Sequence, residues 1–366
     1  MPPSQPNLVG LPLPFTILPR MGTAKHELAR QFFEAMEADE VDAAVALTTD
    51  DVVIDRRNSN APWGRAVTTG HEEFREAYRD FRRAWEEVGG VHWELLRTRA
   101  AGGGRLVVET LISGRGPATG LSMDARGGWL ISFAGDLVNG CTLHQSFDEA
   151  LLAGRRRAID EARLYFVCEA RPGGADARPL LDAALRGGVD IVQLRDKESD
   201  DEHLVSAART FREAADEHGA LFLINDRPDL VGACDADGAH VGQDDMPVAE
   251  ARRVGGAAVA VGLSTHSPAQ FEAAVDAEGD QRPDQISVGP VWATPTKEGR
   301  PAAGLDLIRH AAAAGADAPW FAIGGIDADN IGEVAEAGAQ RVVVVRAIRD
   351  AADPEAAARG LRDVLD

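Results

Sequence analysis

Eight short apolar runs alternate with amphipathic or alanine-rich stretches in the second half of this 366-residue chain. The runs are RLYFVCEA, DIVQLRD, ALFLIND, GAHVGQD, AVAVGLS, QISVGPVW, WFAIGGI and RVVVVRA. Short apolar runs that alternate with helical stretches predict parallel strands joined by crossover helices. Eight such units within residues 162–366 predict a (β/α)₈ barrel. A doubly wound open sheet is the alternative, but it would need fewer strands, and no GxGxxG follows the first run.

Residues 21–153 have a different pattern. Apolar residues recur at helical spacing from Leu28 to Met36 and from Phe74 to Trp85. Strand-like runs separated by glycine-rich turns follow: VHWELLRT, RLVVETLIS, GLSMD, GWLISF and LVNGCTLH. Helices that precede a series of strands predict an α+β unit with a curved antiparallel sheet. We assign residues 154–161 to a short helical connector and the proline-rich residues 1–20 to a disordered tail.

Composition and charge limit the partners of this chain. The net charge of −21 argues against nucleic acid or a membrane surface as the ligand, since either would need a basic face. We find neither a run long enough for a membrane span nor the basic start of a secretory signal. The cysteines Cys141, Cys168 and Cys234 have no metal-binding spacing, which predicts free thiols and a cytoplasmic location. Any anionic ligand must be bound by locally placed cations.

Lysine is rare in this chain. Lys and Arg together number 38, yet the lysines are only Lys25, Lys197 and Lys297. Lys197 lies in QLRDK and Lys297 in TPTK, and each motif follows a strand-like run. Arginine is a planar fork whereas lysine is a compact point charge, so the two are not interchangeable at a tight phosphate site. Two lysines in matching positions therefore predict anion contacts, with chance retention as the alternative.

Polar groups follow almost every predicted strand of the barrel. In such barrels the working residues lie at the C-terminal ends of the strands. We predict that Asp226 and Asp245, which end adjacent strands, share Mg²⁺, because this ion suits one or two carboxylates with water and phosphate oxygens. Arg195 and Lys197 beside them would complete a diphosphate site. The glycine pair of IGGI would form a cup for a second phosphate.

Residues 162–366 resemble the thiamine phosphate synthase family along their whole length. The motifs QLRDK, INDRPDL, GAHVGQDD, GLSTHS, GPVWATPTK and AIGGI occur in order. The resemblance implies that a hydroxymethylpyrimidine diphosphate and a thiazole phosphate, plain or carboxylated, condense with release of pyrophosphate. These small phosphorylated molecules would be its substrates. No nucleophilic side chain is required for that reaction, and none is evident.

The resemblance also implies roles for individual residues. The pyrimidine diphosphate would be bound by Gln193, Arg195, Lys197, Asn225, Ser264 and Lys297. The thiazole phosphate would be bound by Thr294, Thr296, Gly325, Val345 and Arg346. Lys197, Lys297 and Ser264 would act on the leaving group, with Mg²⁺ on Asp226 and Asp245. Arginine at position 346 departs from the serine that the family commonly carries. His266 would be a loop hydrogen-bonder rather than a proton carrier.

Residues 21–153 resemble the SnoaL-like branch of the NTF2-like superfamily, on the segments FFEAMEADEVDAAVALTTDDVVID, GHEEFREAYRDFRRAWEEV and SFDEALLAG. The resemblance implies a cone-shaped α+β unit and leaves its role open between catalysis, ligand binding and dimerisation, including assembly into a homo-oligomer. Asp55, Trp63 and His144 are candidates to line its pocket, although ordinary structural roles are favoured for each.

Two other functions stay open for the barrel. A thiazole tautomerase-type barrel without synthase activity would share the fold but would lack part of the diphosphate set. A Schiff-base aldolase would need a lysine in an apolar pocket with a depressed pKa.

Overall fold

The computed structural model describes residues 24–59, 65–86, 90–115, 122–293 and 302–366. They form two units, a mixed sheet with its helices and a closed barrel. None of the helices in these ranges combines the length and the apolar character that a membrane crossing requires.

The first unit is a six-stranded sheet that packs against helices. Its strands are β1 (Thr48–Asn58), β2 (Val67–Thr69), β3 (His92–Ala100), β4 (Leu106–Arg115), β5 (Ser122–Ala134) and β6 (Leu137–His144). Its helices are α1 (Ala24–Glu37), α2 (Val41–Ala46) and α3 (Gly70–Glu86). The strand order is β2-β1-β6-β5-β4-β3, and β3 to β6 pair antiparallel. The parallel pair is β1 with β6, where Ile54 lies opposite Cys141.

Two details of the predicted first unit are wrong. Strands β1 and β2 precede α3, so the helices do not all come before the strands. Alternation with a period of two could have predicted strand β1, since Val52 and Ile54 are buried while Val53 is exposed. The described residues of GLSMD, 122–124, and GWLISF belong to one strand, β5, rather than two. The intervening Gly128 is not in a turn: a Cβ there would lie 2.8 Å from that of Ala150 in the next helix.

Helix α4 (Phe147–Glu161) joins the two units. It begins at Ser146, whose side chain accepts from the Glu149 N–H. Its first turns contribute to a small apolar cluster with residues of the sheet, namely Ala101, Val107, Leu130, Phe147, Ala150 and Leu151. Its last turns contribute to a cluster with the barrel interior, namely Ala158, Ile159, Ala162, Tyr165, Val167, Ile191, Leu221, Leu223, Ala260, Phe321 and Val343. The predicted connector, residues 154–161, is the second half of this helix.

Eight parallel strands close into a barrel in the described part of residues 162–366, as predicted. The strands are β7 (Leu164–Cys168), β8 (Ile191–Leu194), β9 (Leu221–Asn225), β10 (Gly238–Val241), β11 (Ala260–Thr265), β12 (Gln285–Val288), β13 (Trp320–Ile323) and β14 (Val342–Val344). The helices are α5 (Arg178–Arg186), α6 (Asp201–His218), α7 (Val231–Cys234), α8 (Val248–Gly255), α9 (Pro268–Val275), α10 (Gly304–Ala313), α11 (Ile331–Glu336), α12 (Arg346–Arg349) and α13 (Pro354–Leu365).

Side chains alternate along each barrel strand between the interior and the surrounding helices. In β8, Val192 and Leu194 belong to the large core shared with the helices, whereas Ile191 belongs to the interior cluster that α4 completes. Gln193 takes the other interior position and is buried. The barrel thus has an apolar lower interior, where α4 packs, and polar side chains toward its C-terminal rim.

Candidate active site

A cavity of about 800 Å³ lies at the C-terminal ends of the barrel strands. The predicted residues that line it are Gln193, Arg195, Lys197, Asn225, Asp226, Asp245, Ser264, Gly325, Val345 and Arg346. Thr294, Thr296 and Lys297 lie outside the described residues. The structure therefore brings together every residue predicted for the barrel site that it describes. The reason is topological, because parallel strands direct all their carboxyl ends to one rim.

Two carboxylates face one part of this cavity. Asp226 follows β9 with a φ of 57°, a left-handed conformation that aspartate tolerates better than most residues. Its backbone N–H donates to the His240 carbonyl at 2.8 Å, which fixes the turn. The carboxylate of Asp245 accepts from the Gly242 N–H, also at 2.8 Å. Burial and the neighbouring Asp245 raise the pKa of Asp226, so the two acidic groups are close enough to interact.

Lysine 197 lies beside this carboxylate pair. Its Nζ is 3.7 Å from Oδ2 of Asp226, and 62% of its side chain is exposed. Arg195, which also lines the cavity, is anchored by its backbone N–H to the carbonyl of Cys168 at 2.9 Å. A Schiff-base lysine needs an apolar, desolvated position. The exposure of Lys197 and its carboxylate neighbour argue against the aldolase alternative for this residue.

A buried hydrogen-bonded chain that the sequence analysis missed lies across three strands of the rim. Gln285 Nε2 donates to Nδ1 of His240 at 2.8 Å, and Nε2 of His240 lies 2.9 Å from Oγ of Ser264. With Nδ1 accepting, the ring proton is on Nε2 and is donated to the serine. His240 therefore fixes the orientation of the Ser264 hydroxyl, which lines the cavity.

A second pair of buried polar side chains crosses from β7 to β8. Gln193 Nε2 donates to the Tyr165 hydroxyl oxygen, and both residues line the cavity. Burial raises the pKa of Tyr165 far above its usual range, so the phenol stays neutral. Tyr165, His240 and Ser287 were not among the predicted site residues, and all three lie within strands and line the cavity. Alternation in the sequence could have indicated two of them: Gln285 and Ser287 are at alternate positions of QISV, and His240 is the polar residue of GAHV. One face of each barrel strand is interior.

The glycine pair of IGGI lies on the opposite part of the cavity wall. Gly324 has a φ of 108°, and a Cβ there would lie 2.5 Å from that of Pro290. Only glycine therefore lets this backbone approach the segment after β12. Asn330 Nδ2 donates to the carbonyl of Gly325 at 2.8 Å and holds the loop. Arg346, at the start of α12, is exposed and lines the same cavity.

His266 has the structural contacts that the sequence analysis favoured for it. Its Nδ1 donates to the Gly289 carbonyl at 2.5 Å, and its backbone N–H donates to Gln270 at 2.8 Å. Although His266 lines the cavity, these bonds hold it to the segment that follows β12 and to α9.

Asp55 and His144, two pocket candidates of the first unit, are not part of the wall of the apolar cavity between its helices and its sheet. The third candidate, Trp63, lies outside the described residues. Asp55 is paired with Arg57, with N and O atoms 2.6 Å apart.

A family model described as thiamine monophosphate synthase matches residues 164–348. The chain belongs to the thiamine monophosphate synthase family. It is 53% identical over 203 residues to the thiamine-phosphate synthase of Streptomyces avermitilis. The match covers 56% of this chain and 93% of that relative. The thiamine-phosphate synthase of Saccharopolyspora erythraea is 51% identical over 218 residues, covering 58% and 96%.

A solved structure also matches the barrel. The thiamine phosphate pyrophosphorylase from Pyrococcus furiosus is 28% identical with a TM-score of 0.50, and the match covers 57% of this chain and 96% of that one. A second family model, described as a SnoaL-like domain, matches residues 29–139. Both resemblances in the sequence are therefore confirmed, and the chain is a transferase of the synthase family with a SnoaL-like unit before its barrel.

Proposed function

We propose that the barrel joins a hydroxymethylpyrimidine diphosphate to a thiazole phosphate, plain or carboxylated, and forms thiamine phosphate and pyrophosphate. The observation that carries this proposal is the convergence on one cavity of a carboxylate pair, a cation pair and a glycine cup. Two phosphorylated substrates need two anion sites, and a chain with a net charge of −21 must build them locally. The activity named for the bacterial relatives supports the same conclusion.

Mg²⁺ would be held by Asp226 and Asp245. Support comes from their proximity, since Asp245 contributes to the raised pKa of Asp226 and a divalent cation would relieve that repulsion. Among the described residues no cluster offers three or more acidic, histidine or cysteine ligands. Two carboxylates are nevertheless the ligand set that Mg²⁺ commonly uses when phosphate oxygens and water complete its coordination. When bound, the ion would neutralise charge on the departing pyrophosphate.

The pyrimidine diphosphate would be bound on the carboxylate side of the cavity, by Gln193, Arg195, Lys197, Asn225 and Ser264. The reaction breaks the bond between the pyrimidine methylene carbon and the diphosphate oxygen, and the electron pair leaves on that oxygen. The thiazole nitrogen then supplies the pair for the new C–N bond. Charge grows on the leaving oxygen, so Lys197 and the oriented Ser264 hydroxyl stabilise the transition state more than the ground state. No side chain needs to act as a base.

The thiazole phosphate would be bound on the opposite side, at Gly325, Val345 and Arg346. Support comes from their place in the same cavity wall, where the backbone of the IGGI loop is exposed to a ligand. The exposed guanidinium of Arg346 would replace the hydroxyl that the family commonly has there. Thr294, Thr296 and Lys297, in the segment outside the described residues, stay predictions.

The three cysteines support a cytoplasmic location for this enzyme. Cys141, Cys168 and Cys234 are all buried as free thiols. Free thiols persist most readily in a reducing compartment.

The direct test is to incubate the purified chain with both phosphorylated heterocycles, with and without Mg²⁺, and to measure thiamine phosphate. We expect product only when both substrates and Mg²⁺ are present. A tautomerase-type barrel would yield none. Asp245→Asn should lower turnover by about 10²-fold or more at limiting Mg²⁺, because one anionic ligand is lost.

The matched control for that variant is Asp280→Asn, which changes an exposed aspartate in the loop before β12, away from the rim. It should leave turnover unchanged. Equal Mg²⁺ dependence in the Asp245→Asn variant and the unaltered enzyme would contradict the assignment of Asp245 as a metal ligand. That outcome would not contradict the proposed synthase activity.

A further inference from the structure

Three aspartates lie at the base of the barrel, each directly before a strand. Asp190 precedes β8, Asp237 precedes β10 and Asp284 precedes β12. Each carboxylate accepts from a backbone N–H near the start of the preceding strand, at 3.0, 2.9 and 2.7 Å in turn. Each aspartate therefore joins the N-terminal ends of two neighbouring strands.

Helix α4 supplies arginines to two of these three aspartates. Arg155 donates to Asp237 at 2.8 Å, and Nε of Arg156 donates to Asp284 at 2.7 Å. Asp190 is paired instead with an arginine of the last helix, α13. The side chains of Asp237 and Asp284 are 1% and 2% exposed, so their charges need partners within the fold. The helix that connects the two units thus holds the starts of β9, β10, β11 and β12.

Asp284 is close in sequence to two members of the buried hydrogen-bonded chain at the rim. Gln285 follows it directly, as the first residue of β12. The Val261 N–H, which donates to Asp284, belongs to the strand that carries Ser264 three residues further on. A strand rises about 3.3 Å per residue, so Ser264 is about 10 Å from the point where Asp284 holds β11. A displacement of this carboxylate would therefore reach both rim residues.

Asp237 has the same relation to the third member of the buried chain. His240 is three residues beyond it in β10. Nδ1 of His240 accepts from Gln285 at 2.8 Å, and Nε2 lies 2.9 Å from Oγ of Ser264. Hydrogen bonds weaken steeply as their angle departs from the optimum, so these contacts depend on the relative placement of β10, β11 and β12. The two ion pairs of α4 hold the starts of these same strands.

We infer that Arg155 and Arg156 are positioning residues for the active site. Helix α4 aligns β10, β11 and β12 so that His240 presents the Ser264 hydroxyl to the leaving group, an inference that rests on the proposed function. Neither arginine lines the cavity at the rim. Both act through aspartates at the opposite end of the barrel.

The principal test is Arg156→Gln in the full chain. Arg156 is 50% exposed and Asp284 keeps Arg252 as a partner at 3.0 Å, so the fold should survive the change. We expect kcat for thiamine phosphate formation to fall about fivefold, less than the roughly 10²-fold that a misplacement of about 1 Å can cause. Arg156→Lys, which keeps the charge, should restore most of the lost rate.

The Ser264→Ala background separates positioning from a loss of folded protein. There Arg156→Gln should leave kcat unchanged, because its effect passes through the serine hydroxyl. A smaller folded fraction would instead lower kcat by the same factor in both backgrounds. Arg157→Gln is the matched control, because Arg157 is exposed on the same helix and pairs with Glu161 of that helix at 3.2 Å. It should leave kcat unchanged in both backgrounds.

Histidine-selective ¹⁵N NMR of the protein without substrates gives a second measurement that does not depend on turnover. Arg156→Gln should shift the ring nitrogen resonances of His240, which the His240→Ala variant identifies. Arg155→Lys should shift them too, since a single ammonium cannot replace a guanidinium that donates both to Asp237 and to the Ala258 carbonyl. Arg157→Gln should leave them in place.

Equal fractional losses of kcat in the two backgrounds, or unchanged His240 resonances in Arg156→Gln, would overturn the inference. A failure of the unaltered chain to form thiamine phosphate would contradict the proposed function instead. The NMR comparison would then still decide whether α4 positions the buried chain.

Discussion

Arg155 of helix α4 donates to the carboxylate of Asp237 over 2.8 Å, and both side chains are almost fully buried, at 3% and 1% exposed. Arg212 of α6 donates to the other carboxylate oxygen, also at 2.8 Å, together with the Phe222 N–H at 2.9 Å. Arg99 of strand β3 approaches the same carboxylate to 3.9 Å. Residues from the SnoaL-like unit, the connecting helix and the barrel thus meet on one anion at the base of the barrel.

Replacing this anion should destabilise the whole chain. Asp237→Asn leaves the buried guanidinium of Arg155 without a counter-ion and Arg212 with Asp216 alone. Breaking a buried ion pair in this way typically costs about 3–5 kcal/mol. Urea unfolding followed by far-UV circular dichroism measures the loss. The control is Asp235→Asn, whose carboxylate is 60% exposed and pairs with Arg99 at the surface, so about 1 kcal/mol or less is expected. Similar losses of unfolding free energy in the two variants would show that the buried ion pairs of Asp237 are not the main interaction between the two units.

The same carboxylate predicts a pH dependence of stability. Burial alone would raise the pKa of Asp237, but Arg212, Arg155 and Arg99 outweigh it and hold that pKa far below its usual range. A lowered native pKa contributes stability above the unfolded value near 4, and that stability is lost as the pH falls below it. The urea midpoint of the unaltered chain should therefore fall more steeply between about pH 5 and pH 3 than that of Asp237→Asn. Parallel pH curves would refute this account.

The contact between the units can be tested by adding one methyl group. Gly102 has a φ of 77°, and a Cβ there would lie 2.6 Å from Leu221 and 2.8 Å from Ala158. Gly135 has a φ of 59° with nothing within 4 Å, so Gly135→Ala introduces the backbone strain alone. Gly102→Ala should lower the free energy of unfolding by about 1–3 kcal/mol more than Gly135→Ala. Equal losses would mean that the interface adjusts freely around position 102.

The buried chain from Gln285 through His240 should affect turnover through Ser264. His240→Ala frees the serine hydroxyl to rotate, and Ser264→Ala removes it. Because the histidine acts through the serine, the double variant should be about as slow as Ser264→Ala alone. The measurement is kcat for the four proteins of this cycle at saturating Mg²⁺. Additive losses would instead assign His240 an independent contact with the substrate.

Truncation shows which part of the first unit the barrel needs. A chain of residues 145–366 keeps α4 with its Ser146 cap and should retain most synthase turnover, since the rim is at the other end of the barrel. A chain of residues 162–366 removes Ala158 and Ile159 from the apolar cluster that they form with the barrel interior, and it should be unstable or aggregate. Full activity of the shorter chain would show that α4 is dispensable.

Much of the barrel could be predicted from local pattern. Each of its strands is a short apolar run between helical stretches, and such a run can be recognised from the residues on either side of it in the sequence. The positions of residues just after those runs, such as Asp226 and Asp245, could also be predicted. The carboxyl ends of parallel strands lie at one rim, so residues that follow the strands lie near one another. The SnoaL-like unit was harder to predict from the sequence. Strand β1 lies between helices, and RGG has the pattern of a turn although Gly128 provides space for α4.

The sequence by itself determined the eight strands, the family, and the residues that follow the strand ends, since short-range periodicity and motif order encode these. Only the tertiary structure decided that His240 orients Ser264, that Asp237 joins three segments, and that Arg156 pairs with Asp284. These residues are far apart in the chain. Their proximity depends on how whole elements pack, and no spacing between residues in the sequence records it.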